Sequence, residues 1–428
     1  MKVAVLGGGF AGISAGFYIS KKGHRVTLFE QETVLGGLAT GFKQHNWDWY
    51  LERTVHHWFT NDNNIFSFAK DIGFKKISIK SPITASLYLS NTNNYRIIPL
   101  DNPQDFLKFP YLNIWQKFKT ALILIFLKIT PNFFLLEKVT AEDFLKKSMG
   151  KKAWEIMWKE MFRKKFGKYA GNILASFIWA RINKRTKKLA YPVGGFQSII
   201  KLSEDKLSLL NVNVKKGTRV EKINKKNAKV FIYTSNKEIE EFDAVVSTLP
   251  TPILIKISKE IFPKKYLKKL SKIKHNHAIS LILELKKPFL GKTFWVNNTD
   301  PNNPIMGIFE HTNFIDKKHY GGNHLLYVGN YVDFENPLIK MSNKEVFRWY
   351  FKYLKKINPN IKKGDILNHF VFKGLYAQPI FDKSFLKNKP DFKTPIKNFY
   401  IANLDMTYPY DRGTNYAVKL GKKVASFF

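Results

Sequence analysis

The 428-residue chain contains no cysteine, which removes disulfides, thiolate metal sites and cysteine nucleophiles from consideration. It is also poor in acid: 33 Asp+Glu stand against 71 Lys+Arg, a formal charge of +38. Such a field attracts polyanions, whether nucleic acid, an anionic membrane or an acidic substrate. Arginine is scarce in its turn, with nine residues, and arginine is what forked phosphate recognition and guanine reading favour. A general lysine bias, in company with abundant Phe, Ile and Asn, accounts for the same surplus. With no zinc finger or RNA-binding motif, nucleic acid is not an expected partner. No apolar run reaches the roughly 18 residues that a membrane span needs. The longest, Ala121 to Leu127, is stopped by Lys128 and Pro131. Met1-Lys2 runs straight into a strand pattern, so no signal peptide is expected. The expected location is the cytoplasm, with peripheral attachment to the inner face of an anionic membrane left open. Internal repeats and low-complexity linkers are absent as well.

What is present is a large apolar inventory. The chain is 44% hydrophobic and 15% aromatic, with 37 Phe, which excludes disorder as its overall state. Its length exceeds the roughly 250 to 300 residues at which single cores stop growing, so two packed regions are expected.

The most informative stretch is the first forty residues. Val3-Ala4-Val5-Leu6 is a short buried-strand pattern ending at Gly7-Gly8-Gly9-Phe10-Ala11-Gly12. A helical pattern follows to Lys21-Lys22-Gly23, and Arg25 to Glu30 gives a second strand, which completes a βαβ unit. Gly7, Gly9 and Gly12 stand in G-x-G-x-x-G register, and each has a separate job. Gly7 permits the turn, Gly9 lets a pyrophosphate approach the backbone, and Gly12 lets the helix pack closely on the strand. The N–H groups of the first helical turn, at Phe10 and Ala11, face the phosphates with the positive end of the helix dipole. Glu30, at the end of the second strand, is placed to accept from ribose hydroxyls. This unit alone does not separate FAD from NAD, and NAD(P)H stays open without a further motif that calls for it. The turn Leu35-Gly36-Gly37-Leu38 adds a second place where backbone can lie against a long cofactor.

With that glycine doublet the chain resembles the FAD-dependent amine oxidase, phytoene desaturase and protoporphyrinogen oxidase superfamily. The resemblance implies a noncovalent FAD, with Glu30 on the adenosine ribose and Gly36, Gly37 and Leu38 against the dinucleotide. It implies a discontinuous α/β Rossmann-like FAD-binding domain over 1–60, 188–253 and 386–428, with an interleaved α+β substrate domain over 61–187 and 254–385. In the middle segment Val220 inherits a backbone contact to adenine. At the C-terminus, Asp411-Arg412-Gly413-Thr414-Asn415-Tyr416 opens a last helix carrying the small residues Ala417, Gly421 and Ala425 on one side. Gly413, Thr414 and Asn415 inherit the role of turning N–H groups toward the flavin pyrimidine. The family commonly has Gly followed by an acid after the last strand; here Asn403-Leu404 precedes Asp405, and Asn403 and Asp405 are the candidates for that contact. Glu52 with His56-His57-Trp58-Phe59, Phe309-Glu310-His311-Thr312-Asn313 and Tyr376-Ala377-Gln378-Pro379 resemble a bacterial subgroup described as NAD(P)/FAD-dependent oxidoreductases.

Catalytic assignments stay open; the cleft candidates are Glu52, His56, His57, Glu310, His311, Tyr376, Gln378 and Arg412. No metal is expected, because His275-x-His277 and His56-His57 lack a third ligand at recognisable spacing. Residues 61–187 read as largely helical. Residues 254–385 read as mixed, with strands at Ile279 to Leu285 and Leu325 to Val332 and a helix near Asn343 to Lys356. The basic stretch Lys146 to Lys168, with Trp154, Met157, Trp158, Met161, Phe162 and Phe166 interleaved, fits either a core helix with a solvated lysine face or a helix lying on an anionic membrane. The expected function is FAD-dependent oxidation of an organic small-molecule substrate, lipid-like, polyprenoid or porphyrinogen in kind. A redox-neutral sugar-nucleotide mutase and a flavin-containing membrane-surface protein are the alternatives.

Overall fold

The computed structural model describes residues 1–90 and 94–428. Three distant parts of the chain meet in one five-stranded parallel sheet. Its order is Asn213–Lys215, Arg25–Phe29, Lys2–Leu6, Ala244–Ser247 and Phe399–Ile401. Val3 to Leu6 and Ala244 to Val246 are fully buried, as strands covered on both faces must be. The expected α/β fold with a discontinuous Rossmann-like sheet is therefore the observed one.

Two helices pack on each other here, the first of them against this sheet. The first, Phe10–Ser20, is buried along nearly its whole length, and the last, Thr414–Val424, packs directly on it. Glycine sets their separation: a Cβ on Gly421 would stand 2.0 Å from Ser14 Oγ and 2.4 Å from the Ala11 carbonyl oxygen. The small-residue side of the last helix is thus the face that brings the C-terminus back onto the N-terminal unit.

The second sheet has seven strands, in the order Ile366–Pro379, His275–Leu285, His324–Val332, Gly307–Glu310, Thr293–Asn298, Ile83–Leu89 and Tyr95–Pro99. It is antiparallel except where Thr293–Asn298 meets Ile83–Leu89. The strands Ile77–Lys80, Ile83–Leu89 and Tyr95–Pro99 correct the largely helical reading of residues 61–187. Beyond them that segment is helical, through Ile114–Ile129, Ala141–Met149, Glu160–Phe166 and Ala175–Lys184. Thr140 caps Ala141–Met149 as its sequence predicts, accepting from the Asp143 N–H.

The basic stretch Lys146 to Lys168 is broken at Gly150 (φ 96°) and carries a π-helical turn at Glu155–Lys159. Trp154, Trp158, Phe162 and Phe166 are all buried in the helical layer. Those aromatics are unavailable to lipid, so the membrane reading of this stretch is overturned and the core reading stands. No helix among the described residues is long and apolar enough to cross a membrane.

Candidate active site

The glycine turn has the geometry of a cradle for a dinucleotide. Gly7 takes φ +100°, and a Cβ on Gly12 would lie 1.8 Å from the Gly7 carbonyl oxygen, so no larger residue permits this helix-on-strand packing. The Gly36 N–H donates to the Gly8 carbonyl at 2.9 Å, which ties the doublet to the first turn. Above them Gly9 and Gly37 face each other closely: a Cβ on Gly37 would meet Gly9 Cα at 3.2 Å, whereas one on Gly9 meets nothing nearer than 3.8 Å. The helix Phe10–Ser20 starts at Gly9 with no side-chain cap, leaving its first-turn N–H groups for a ligand. Glu30 is buried; its carboxylate accepts from the Gly8 N–H at 2.7 Å and the Glu32 N–H at 2.9 Å, while burial pushes its pKa up. The segment carrying Val220 runs beside it, with the Thr218 N–H donating to the Glu30 carbonyl at 2.8 Å. Arg53 was not foreseen: its N–H donates to the Thr40 carbonyl at 3.0 Å, and its Nε is buried without a partner. These features fit an FAD whose pyrophosphate lies against Gly9 and Gly37.

The last helix begins at Gly413, again without a side-chain cap. Its side chains are spent on structure. Thr414 Oγ1 accepts from Trp58 Nε1 at 2.8 Å, and Asn415 Oδ1 accepts from the N–H groups of Asn64 and Ile65 at 2.9 and 3.1 Å. What this helix offers a flavin ring is therefore backbone N–H and the positive dipole end. Asn403 and Asp405 are buried and bonded within the protein: Asn403 Nδ2 donates to the Leu249 carbonyl and Thr251 Oγ1, and Asp405 accepts from Thr251 and from His275 Nε2 at 2.7 Å.

Gly413, Thr414 and Asn415 border a cavity of about 890 Å³ that opens between the seven-stranded sheet, the helical layer and the start of the last helix. Of the eight cleft candidates, His56, His57 and Arg412 line it. Glu52, Glu310, His311, Tyr376 and Gln378 do not, and the first four make hydrogen bonds that account for their places. Glu52 accepts from the Tyr191 hydroxyl and the Phe196 N–H, both at 2.7 Å, at the start of the helix Phe196–Leu209. Glu310 accepts from the N–H groups of Phe289 and Leu290, so it is no surface carboxylate. His311 Nε2 pairs with the Tyr320 hydroxyl at 2.8 Å. Tyr376, at φ 55°, donates its N–H to His277 Nδ1, and Gln378 is wholly buried on the same strand.

Burial pushes the Glu52 carboxyl up to about 7 from an ordinary 4.5, despite hydrogen bonds from Phe196, Tyr191 and its own N–H that oppose the shift. The native state thus binds this proton more tightly than the unfolded chain does. The stability it contributes is full below about pH 4.5 and is lost as pH rises through about 7. Glu52→Gln keeps an acceptor for Phe196 and removes the charge. Its stability relative to the parent should therefore rise between pH 5 and pH 8, reaching about 1–2 kcal/mol at the upper end, as denaturant titrations at the two pH values would show.

The imidazoles in the cavity wall are held neutral. Burial, with Arg412 adding, lowers His56 to about 3, and burial, with Arg185 and Arg181 adding, lowers His57 to about 4. His56 Nδ1 donates to the Thr54 carbonyl at 2.7 Å, which leaves Nε2 as an acceptor. His57 Nδ1 and Trp158 Nε1 are buried atoms without partners, and both residues line the cavity. Most of the wall is apolar and aromatic, including Met157, Met161, Phe162, Phe177 and Trp295.

Its charges are unbalanced: Lys128, Lys165, Arg181, Lys184, Arg185, Lys187 and Arg412 stand against Asp62, Asp101 and Asp411. Asp411 accepts from Lys165 Nζ at 2.6 Å and Arg181 Nη1 at 2.9 Å. Arg185 faces Asp101 at 3.8 Å, donates to Thr84 Oγ1 at 2.6 Å and lies over the Trp295 ring at 5.5 Å. None of these cations except Arg412 stood out in the sequence.

Comparison with known proteins places this architecture. A family model described as flavin containing amine oxidoreductase matches residues 10–426. An oxidoreductase from Methanosarcina mazei superposes with a TM-score of 0.78 at 20% identity, over 100% of both chains. Reduced UDP-galactopyranose mutase superposes with a TM-score of 0.77 at 14% identity, over 99% of this chain and 94% of that one. Among curated proteins, 15-cis-phytoene desaturase from Synechococcus elongatus is 33% identical over 75 residues, which is 18% of this chain and 16% of that enzyme. The match therefore spans less than a fifth of the relative's length. The family match runs through almost the whole chain, and with it the uncapped helix ends, the facing glycines and the buried acid find one explanation: the chain belongs to the flavin containing amine oxidoreductase family.

Proposed function

We propose that the protein is an oxidoreductase with noncovalent FAD whose substrate is an amphipathic acid, an apolar body carrying a carboxylate or phosphate. The observation that carries this reading is the cavity wall, apolar and aromatic in bulk but with a surplus of cations, beside the N-terminus of the last helix. FAD, when bound, supplies the hydride acceptor. The protein's part is positioning. Gly9, Gly37 and the first turn of Phe10–Ser20 hold the phosphates, and Glu30 accepts from the ribose. At the other end, the N–H groups at Gly413 to Asn415 face the ring. Neutral His56 and His57 offer hydrogen-bonding sites without charge, and Arg185, whose carboxylate neighbour Asp101 stands 3.8 Å away, receives the substrate's anion.

The test is anaerobic flavin bleaching against polyprenoid acids, porphyrinogens, amines and sugar nucleotides. Acidic amphiphiles should bleach the flavin and polyamines should not; bleaching by a diamine alone would overturn the reading. With a bleaching substrate in hand, Arg185→Gln should raise KM by about 10- to 100-fold and leave kcat within about threefold. A charged hydrogen bond made equally in ground and transition states has that signature.

One alternative has a specific observation behind it, since the same cations suit a diphosphate and the fold matches that of UDP-galactopyranose mutase. Sugar-nucleotide turnover that requires prior flavin reduction and consumes no electrons would select it.

A further inference from the structure

One apolar face of the molecule has no partner among the described residues. The helix Ile114–Ile129 is secured at its start by a capping box between Asn113 and Gln116. Along it, only Thr120 and Leu127 are buried. Trp115, Phe118, Leu122, Ile125 and Ile129 follow one another at three- and four-residue spacing and are 72%, 56%, 49%, 55% and 71% exposed. That spacing is a single stripe along the helix. Leu107 on one side and Phe134 and Leu135 on the other are also more than half exposed. The turn bearing Leu107 is held to the helix, because its carbonyl accepts from Lys117 Nζ at 2.5 Å. A soluble monomer rarely leaves so many large apolar side chains together in water.

Charge decides what covers the stripe. From Phe106 to Leu136 the sequence holds Lys108, Lys117, Lys119 and Lys128 and no Asp or Glu. A second copy of a chain with a formal charge of +38 is repelled, whereas an anionic lipid surface is attracted. The helix is too short to span a bilayer but long enough to lie in its headgroup region. Its position adds a second argument: Phe106, Ala121, Leu124, Ile125 and Lys128 also line the large cavity. Ile125 is both exposed and part of the lining, so the stripe sits at the cavity's mouth.

We propose that Ile114–Ile129 is a membrane-docking helix that lies in the interface of a bilayer containing anionic lipid and sets the cavity mouth against it. An amphipathic substrate then enters from the lipid phase rather than through water. The proposal goes beyond the substrate assignment, and its test reads partition instead of turnover, so either can fail alone.

The full-length flavoprotein is sedimented with vesicles of phosphatidylcholine alone or with about one-third phosphatidylglycerol. Binding is expected to the anionic vesicles and to fall steeply as salt is raised toward about 0.5 M. Trp115→Glu/Phe118→Glu should weaken partition by about tenfold or more, because two large apolar side chains leave the interface. Their exposure means that FAD content and thermal unfolding should not change. Lys108→Gln and Lys119→Gln should each weaken partition by about fivefold. Binding that ignores the Trp115/Phe118 change, or that is equal on neutral vesicles, would overturn the proposal. So would failure to bind any vesicle, whether the protein is monomeric or forms a dimer that the same double substitution dissolves.

Discussion

Gly12→Ala is expected to yield a protein that no longer retains flavin, while Gly16→Ala, one helical turn later, is expected to be at least as stable as the parent. The two positions share a helix, a burial class and a substitution, and differ only in what the new methyl group meets. At Gly12 it would stand 1.8 Å from the Gly7 carbonyl oxygen and 3.0 Å from the carbonyl carbon. Both are backbone atoms of the turn itself, so no side chain can rotate away. The helix would have to lift from the strand, taking its first-turn N–H groups from the place proposed for the phosphates. Overpacking of this kind destabilises by about 3 kcal/mol or more when backbone is the obstacle. At Gly16 the nearest atoms are Leu207 Cδ2 at 3.5 Å and Leu28 Cδ1 at 3.7 Å, which is ordinary contact. There alanine brings its better helix propensity, about 0.5–1 kcal/mol. Flavin absorbance of the purified proteins and denaturant midpoints separate the two outcomes, and a Gly12→Ala protein that keeps its flavin would show that the close packing is not what forms the phosphate site.

That contrast marks where the sequence was legible. The job of Gly12 is local: a strand, a turn and a helix contiguous in the chain, so spacing alone exposed it. The packing of Gly421 on Ala11 and Ser14 was partly visible for a related reason, since Ala417, Gly421 and Ala425 fall on one helix face. The cavity was not visible, because Lys165, Arg181 and Arg185 converge from the far side of the fold and a lysine-rich chain gives no single basic residue a signal. Glu52, Glu310 and His311 misled because polar residues in an apolar setting look functional, and here they answer backbone N–H and tyrosine hydroxyl groups. Lys146 to Lys168 fitted both a core helix and a membrane-surface helix because lysines alternate with its aromatics, and the burial of Trp154, Trp158, Phe162 and Phe166 decides for the core. Ile114–Ile129 read as part of the helical cover because an apolar stripe has the same period whether it is buried or bare. The strands between Ile77 and Pro99 were lost to that same helical reading.

Asp411→Asn is expected to produce the second large effect, a loss of about 2–3 kcal/mol in stability at neutral pH. Burial alone would raise this carboxyl, but Lys165, Arg181 and Arg412 outweigh it and hold the group down at about 2, against an ordinary 3.8. A depressed carboxylate contributes stability that is fully present above about pH 3.8 and is lost as pH falls through about 2. The asparagine protein should therefore differ from the parent across the neutral range and converge with it in acid. What makes the loss large is the company left behind. Lys165 is already pushed down to about 8 by burial, with Asp411 opposing the shift. Without Asp411, two cations 13% and 25% exposed face each other with no counter-charge in place. The cavity beside them admits some water, which keeps the expected loss below the 3–5 kcal/mol typical of a fully enclosed pair. Asp411→Asn/Lys165→Met removes one of the stranded charges and replaces it with an apolar stem of similar length, so more than half of the lost stability should return. Denaturant titrations of the parent, both single variants and the double variant close the cycle. A coupling energy near zero would mean that Lys165 and Asp411 are held apart by solvent, and that the surplus positive charge at the cavity is screened from a bound ligand too.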